Sequence, residues 1–135
     1  MGMFDAFAIS GSGMTAERLR MDVIASNLAN ADSTRGADGQ PYRRRMVVLQ
    51  AGSPSFDQVL SGVKVAGVVD DQSPLRRVYD PSHPDADAQG YVTLPNVNPV
   101  TEMVDLITAS RGYEANVTAM NAAKQMFSKT FDILR

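Results

Sequence analysis

Apolar residues recur every seven positions at both ends of this chain. Phe7, Met14, Met21 and Leu28 form one row near the N-terminus, and Leu106, Tyr113, Met120, Phe127 and Leu134 form another in the last third. A spacing of seven is the seam of a helix that packs lengthwise against other helices, since seven residues make about two turns. Seams at both termini around a non-helical middle predict an assembly subunit rather than an enzyme.

The first helix is expected from about Phe4 to Asn30. Beside the Phe7 row runs a second, Ile9, Ala16 and Val23. Two residues along a helix is about 200° of rotation, so the rows face nearly opposite ways. A helix apolar on two sides needs neighbours on both, and one antiparallel partner from the same chain covers only one. Gly11 and Gly13 each cost about 1 kcal/mol relative to Ala, so the first turns are expected to order on packing.

From Asp38 to about Asn98 the period changes. Tyr42–Leu49, Gly62–Val69, Arg77–Tyr79 and Gly90–Leu94 read as strands, separated by Pro54, Pro74, Pro81, Pro84 and Pro95. Asn98-Pro99 then opens a second helix, Asn as N-cap and Pro as first helical residue. Running from Pro99 to Leu134, it would be roughly 50 Å long. Met103, Val117 and Phe131 broaden its apolar face, while Ala115, Ala119, Ala122 and Ala123 permit close backbone approach elsewhere. The expected class is mainly α with a small antiparallel β insert: residues 1–35, an N-terminal helix; 36–98, a β-rich insert with loops; 99–135, a C-terminal helix packing with the first.

A chain of 135 residues with a net charge of −2 has no global basic field to favour nucleic acid. Arg43-Arg44-Arg45 is locally basic, but on a strand Arg44 would point away from its neighbours, which suits a solvated edge or salt bridges to a neighbouring subunit. No cysteine is present and only one histidine, so thiolate sites are excluded and nucleophile–base pairs are few. No nucleophile elbow, phosphate loop or zinc motif occurs. Asp80, His83, Asp85 and Asp87 could gather round a cation, but their spacing matches no calcium loop, and a rigid contact loop explains the same residues. No cofactor is expected. Neither a cleavable signal nor an apolar run long enough for a membrane span is visible.

Ser12-Gly-Met-Thr-Ala-Glu-Arg-Leu-Arg-Met-Asp-Val-Ile-Ala-Ser-Asn-Leu-Ala-Asn-Ala-Asp-Ser-Thr34 resembles the signature of bacterial flagellar rod and hook proteins, Ser26-Asn-Leu-Ala-Asn-Ala31 above all. Glu102-Met-Val-Asp-Leu-Ile-Thr-Ala-Ser-Arg-Gly-Tyr-Glu-Ala-Asn116 is similar to the matching C-terminal helix of that family. In the middle, Gly62-Val-Lys-Val, Val78-Tyr-Asp-Pro-Ser-His-Pro-Asp-Ala-Asp87, Gly90-Tyr-Val and Pro95-Asn-Val-Asn98 resemble its short proximal-rod members. The resemblance implies a non-enzymatic subunit, exported through the flagellar type III apparatus without a cleaved signal. It would polymerise with its own copies, other proximal and distal rod proteins and the adaptor at the rod base into the torque-transmitting shaft of the basal body. Terminal helices would form the inner layers of that tube and the insert would pack outside. A different short rod subunit, or a cytoplasmic helical export adaptor or chaperone, is the alternative.

On that reading the interface residues are Phe7, Ile9, Met14, Met21, Val23 and Leu28 on the first helix. On the second they are Met103, Leu106, Tyr113, Val117, Met120, Phe127 and Phe131. Asn27 and Asn30 would fix register, because a buried amide tolerates few partners. The Tyr79–Tyr91 loop, with Tyr79, Asp80, His83, Asp85 and Asp87, would make contacts between inserts.

Overall fold

The computed structural model describes residues 3–36, 39–51 and 62–133. Two long helices carry the fold: α1, Met3–Ala29, and α2, Pro99–Ile133. Between them, among the described residues, lie β1 (Arg45–Ala51), β2 (Val63–Asp70), β3 (Arg76–Tyr79) and β4 (Tyr91–Leu94). The chain is mainly α with a small antiparallel β insert, and the insert divides into two separate ribbons, β1–β2 and β3–β4.

The helix ends follow local chemistry. Asn98 Oδ1 accepts the Val100 N–H at 3.0 Å, and the Asn98 carbonyl accepts the Glu102 N–H, so Asn98 caps α2 and Pro99 occupies the position that needs no donor. At the other boundary, the Asn30 Nδ2 donates to the Ser26 carbonyl at 2.8 Å and Ser33 Oγ donates to the Asn30 carbonyl at 3.0 Å. These side chains satisfy carbonyls that the end of α1 leaves without helical partners.

α1 and α2 lie antiparallel, as the facing pairs Gly11/Met120, Gly13/Asn116, Glu17/Gly112 and Asn27/Glu102 require. The buried positions along their contact are Gly13, Ala16, Ile24, Asn27 and Ala31 from α1 and its exit turn, and Glu102, Ala109 and Ala123 from α2. Apart from Ile24, the seam is therefore made of small and polar residues. Its tightness is measurable: a Cβ on Gly13 would lie 2.9 Å from Asn116 Nδ2, and one on Gly112 would lie 3.3 Å from Glu17 Cδ. Both glycines allow the backbones to approach, which outweighs their cost in helix propensity.

The seven-residue rows do not form this seam; they flank it. Phe7, Met14, Met21 and Leu28 are all half-buried, as are Leu106, Tyr113 and Met120, while Phe127 is exposed. The physical reason is bulk: closely spaced backbones leave room for Gly and Ala at the centre and push Met, Leu and Tyr to the sides. Phe131 belongs to α2, but its side chain lies outside the described residues, as does Leu134.

The second neighbour of α1 comes partly from its own chain. The β1–β2 ribbon runs back along α1, tied at one end by Arg45 to Asn27 and at the other by Val63, whose N–H donates to Ser12 Oγ at 3.0 Å. Gly62 sits against Ser12 and Ile9, closer than any side chain would permit. The strand expected from Tyr42 starts instead at Arg45, because Tyr42, Arg43 and Arg44 are drawn into side-chain bonds before pairing with β2 begins. The turn expected at Asp38 and the segment holding Pro54 lie outside the described residues.

Candidate assembly interface

Where α1, α2 and the insert meet, the chain buries a polar hub. Asn27 is 1% exposed and Glu102 0%. Asn27 makes four hydrogen bonds. Its Nδ2 donates to Glu102 Oε2 at 3.0 Å and to the Arg45 carbonyl at 2.8 Å. Its Oδ1 accepts from the Tyr42 hydroxyl and from the Arg45 N–H, both at 2.9 Å. The capacity of one amide is thus filled, and three elements are held in one register.

Glu102 is neutralised by Arg44, whose Nε lies 2.6 Å from Oε1. The same guanidinium reaches Asp105 at 3.4 Å and Asp71 at 3.8 Å. Asn96 joins the group, its Oδ1 accepting the Arg44 N–H at 2.8 Å and its Nδ2 donating to Ser73 Oγ at 2.8 Å. Hydrogen bonds from the backbone and side chain of Ser73 hold the Asp71 carboxyl below the usual value of 3.8, with Arg44 adding to the effect. The Arg44 salt bridges are accordingly within the chain, not to a neighbouring subunit, and only Arg45 of the basic triplet belongs to a strand.

The Tyr79–Tyr91 loop is built from turns closed by its own acids. Asp80 Oδ1 accepts from the Ser82 hydroxyl at 2.6 Å and its N–H at 3.1 Å, bonds that lower the Asp80 pKa from 3.8. Asp87 Oδ1 accepts from the Tyr91 and Gln89 N–H groups at 2.9 and 2.8 Å, and Arg77 reaches Oδ2 at 2.7 Å. The Asp87 pKa is likewise lowered, the Tyr91 bond first among the causes. Asp85 points the other way, to Thr34 at 2.8 Å and Arg35 at 3.1 Å, docking the loop on the exit of α1. His83 Nδ1 accepts the Asp85 N–H at 3.1 Å. Gly90, at φ +81°, makes the turn back into β4 and passes under Tyr79, where a Cβ would lie 2.9 Å from the ring. Tyr79 itself packs edge-on against Tyr91 and remains largely exposed. The three acids and the histidine do not converge: among the described residues no three His, Asp or Glu side chains are grouped to hold a metal.

The large apolar side chains lie on the outside. Val100, Met103, Val104 and Ile107 share one face of the first turns of α2, and all are exposed, Val100 by 65% and Ile107 by 54%. Met126, further along, is exposed by 63%. Of the residues expected at an interface, Ile9, Val23 and Val117 are half-buried on the helix flanks with Met14 and Met21, and Met103 is exposed. Asn30, half-buried, closes its own helix rather than bridging to another. Sequence reasoning missed Glu102 as a buried ion, Arg44 as its partner and Val100, Val104 and Ile107 as an outward patch. The available signal was weak, because Glu102 and Asp105 lie three apart on one helix but 58 residues separate Arg44 from Glu102.

A helix pair closed by small and polar residues, with its bulky apolar side chains turned outward, defines a class: a subunit completed by neighbours. The comparisons with known proteins agree in kind. The family described as "Flagella basal body rod protein" matches residues 7–37, and "Flagellar basal body rod FlgEFG protein C-terminal" matches residues 88–133. The flagellar basal-body rod protein FlgC of Bacillus subtilis is 49% identical, the alignment covering 98% of this chain and 99% of that protein. The FlgC proteins of Salmonella typhimurium, at 48% over 98% of both chains, and of Borreliella burgdorferi, at 44% over 100% and 99%, are similar. The chain belongs to the FlgC family of flagellar basal-body rod proteins and is a structural subunit of the rod.

Proposed function

We propose that this subunit builds the proximal rod, polymerising with its own copies and with other proximal and distal rod proteins above the adaptor at the rod base. Its work there is mechanical, the transmission of motor torque across the periplasm, with no catalytic step. It reaches that place through the flagellar type III export apparatus without a cleaved signal. The observation that carries this reading is the distribution of side-chain size, mostly small and polar residues inside the helix pair, Ile24 excepted, and large apolar ones on its flanks and outer face. In a free monomer that arrangement leaves hydrophobic area in water; in a tube of packed helices the same area is the binding energy, about 25 cal/mol per Å² buried. No described helix is long and apolar enough to cross a membrane, so this face suits protein neighbours rather than a bilayer span.

The interface on this proposal comprises the flanking rows of α1 (Phe7, Ile9, Met14, Met21, Val23, Leu28) and α2 (Met103, Leu106, Tyr113, Val117, Met120, Phe127, Phe131). The exposed ring of Tyr79 would meet neighbouring inserts, while Asp80, His83, Asp85 and Asp87 shape the loop that presents it. The test is Met21→Asp and Val117→Asp, each scored for secretion of the subunit and for its presence in purified basal bodies. Both variants should be secreted and fail to assemble. Normal incorporation of both would overturn the assignment of these faces.

A further inference from the structure

The β1–β2 ribbon carries an apolar outer face. Met46 pairs with Val69 and Val48 with Gly67, so these four residues share one side, while the half-buried Val47 and, past the bulge, Val65 lie on the other with the exposed Val68, Leu49 and Val63. Met46, Val48 and Val69 are exposed by 37–45%. Gly67 stands among them without a reason inside its own chain. Its φ is not positive, so neither the adjoining bulge nor a turn demands glycine, and a Cβ there would meet nothing within 4 Å. Glycine inside a strand weakens it, and one common reason to keep it is the close approach of another chain.

The first turns of α2 present a complementary shape. Val100, Met103, Val104 and Ile107 make a ridge that continues into a shallow depression of about 370 Å³ lined by Leu106, Ile107, Ser110, Arg111 and Glu114. The spacings match. From Gly67 to Lys64 along the ribbon is about 10 Å, and from Ile107 to Glu114 along the helix is also about 10 Å. From Val48 to Gln50 is about 7 Å and from Ile107 to Arg111 about 6 Å. Neither Lys64 nor Glu114 is in an ion pair among the described residues. Seating Ile107 over Gly67 therefore brings Glu114 to Lys64, Arg111 to the Gln50 carboxamide and the Val100–Val104 ridge to Met46 and Val69.

We infer that in the rod the outer face of the β1–β2 ribbon of one copy docks on the N-terminal face of α2 of the next copy, with Ile107 in the notch at Gly67 and Glu114 paired with Lys64. Within one chain both faces are exposed, so the contact runs between copies. It is heterologous, ribbon to helix, and such contacts propagate along a helical or ring path rather than closing as a symmetric dimer. The inference rests on the rod reading above and adds the pair of surfaces that join one copy to the next.

The natural absence of cysteine makes the test direct. Val48→Cys and Ile107→Cys are expressed, singly, together in one chain, and as a mixture of the two single variants, in cells lacking the wild-type copy. Basal bodies are then purified and oxidised. The mixture should give a crosslinked species of twice the 14.6 kDa subunit, and the double variant, which can link on both sides, a ladder of multiples of it. Each single variant alone should not. Basal bodies that contain the variant but yield no such species, or that crosslink it to a different rod protein, overturn the contact and leave the rod reading intact. Absence of the wild-type subunit from basal bodies overturns both. As an independent arm, Lys64→Glu should reduce swimming by about twofold or more, and adding Glu114→Lys should restore it; no restoration overturns the register.

Discussion

At the scale of single residues, the chain concentrates its specificity in a few polar and glycine positions. Arg44 and Glu102 form a mostly buried ion pair, the kind whose desolvation cost nearly cancels its attraction but whose disruption is expensive. Arg44→Met should lower the unfolding free energy by about 3–5 kcal/mol, because it leaves the buried Glu102 side chain without its ionic partner, whereas adding Glu102→Met should recover most of the loss. Urea unfolding of the three variants measures this. The two early glycines of α1 should behave differently. At Gly11 a Cβ would meet only Met120 Cε at 3.9 Å, so Gly11→Ala should stabilise by about 0.5–1 kcal/mol. At Gly13 the Cβ would force Asn116 away from its 3.0 Å bond to the Gly112 carbonyl, so Gly13→Ala should melt below Gly11→Ala. Asp87 supplies a pH signature. Its folded pKa is lowered from 3.8, so its contribution to the β3–β4 turn is complete above that value and fades as pH falls below it through the folded pKa. The Tyr91 amide resonance should hold its native shift at mildly acidic pH and titrate only below 3.8, and Asp87→Asn should abolish that titration.

At the scale of elements, the two long helices were legible in the sequence and the way they meet was not. Asn98-Pro99 marks the start of α2, and both helices end within a residue or two of expectation. The seven-residue rows announced helices that pack lengthwise, yet they flank the contact instead of filling it. Hydrophobic periodicity finds the face with the most apolar bulk; it is blind to a seam whose requirement is small volume. Gly13 read as a helix weakener for the same reason, although the structure uses it, like Gly112, as a point of closest approach. Arg44 escaped because its partner Glu102 is 58 residues away, and no local pattern joins a loop arginine to a helix carboxylate. Asn27, by contrast, was legible as an amide that something specific has to satisfy, and the four partners it finds all lie within its own chain. The insert was foreseen as strands, but not its division into two ribbons, between which Asn96 bonds to Arg44 and Ser73.

At the scale of the whole molecule, the subunit resembles one piece of an interlocking shaft. Its polar hub and glycine seam fix the angle between helices and insert, so that each copy presents the same outward faces. On the proposal above, its exposed apolar residues meet neighbours, so that assembly removes that surface from water. Rigidity inside the subunit and stickiness outside it are what a torque-bearing polymer needs. The most direct measurement is electron microscopy of basal bodies from cells in which this chain is deleted, beside the same cells carrying it on a plasmid. The deletion cells should show truncated or missing rods and fail to swim, and the plasmid should restore both. Complete rods and normal swimming in the deletion cells would contradict the account at its centre.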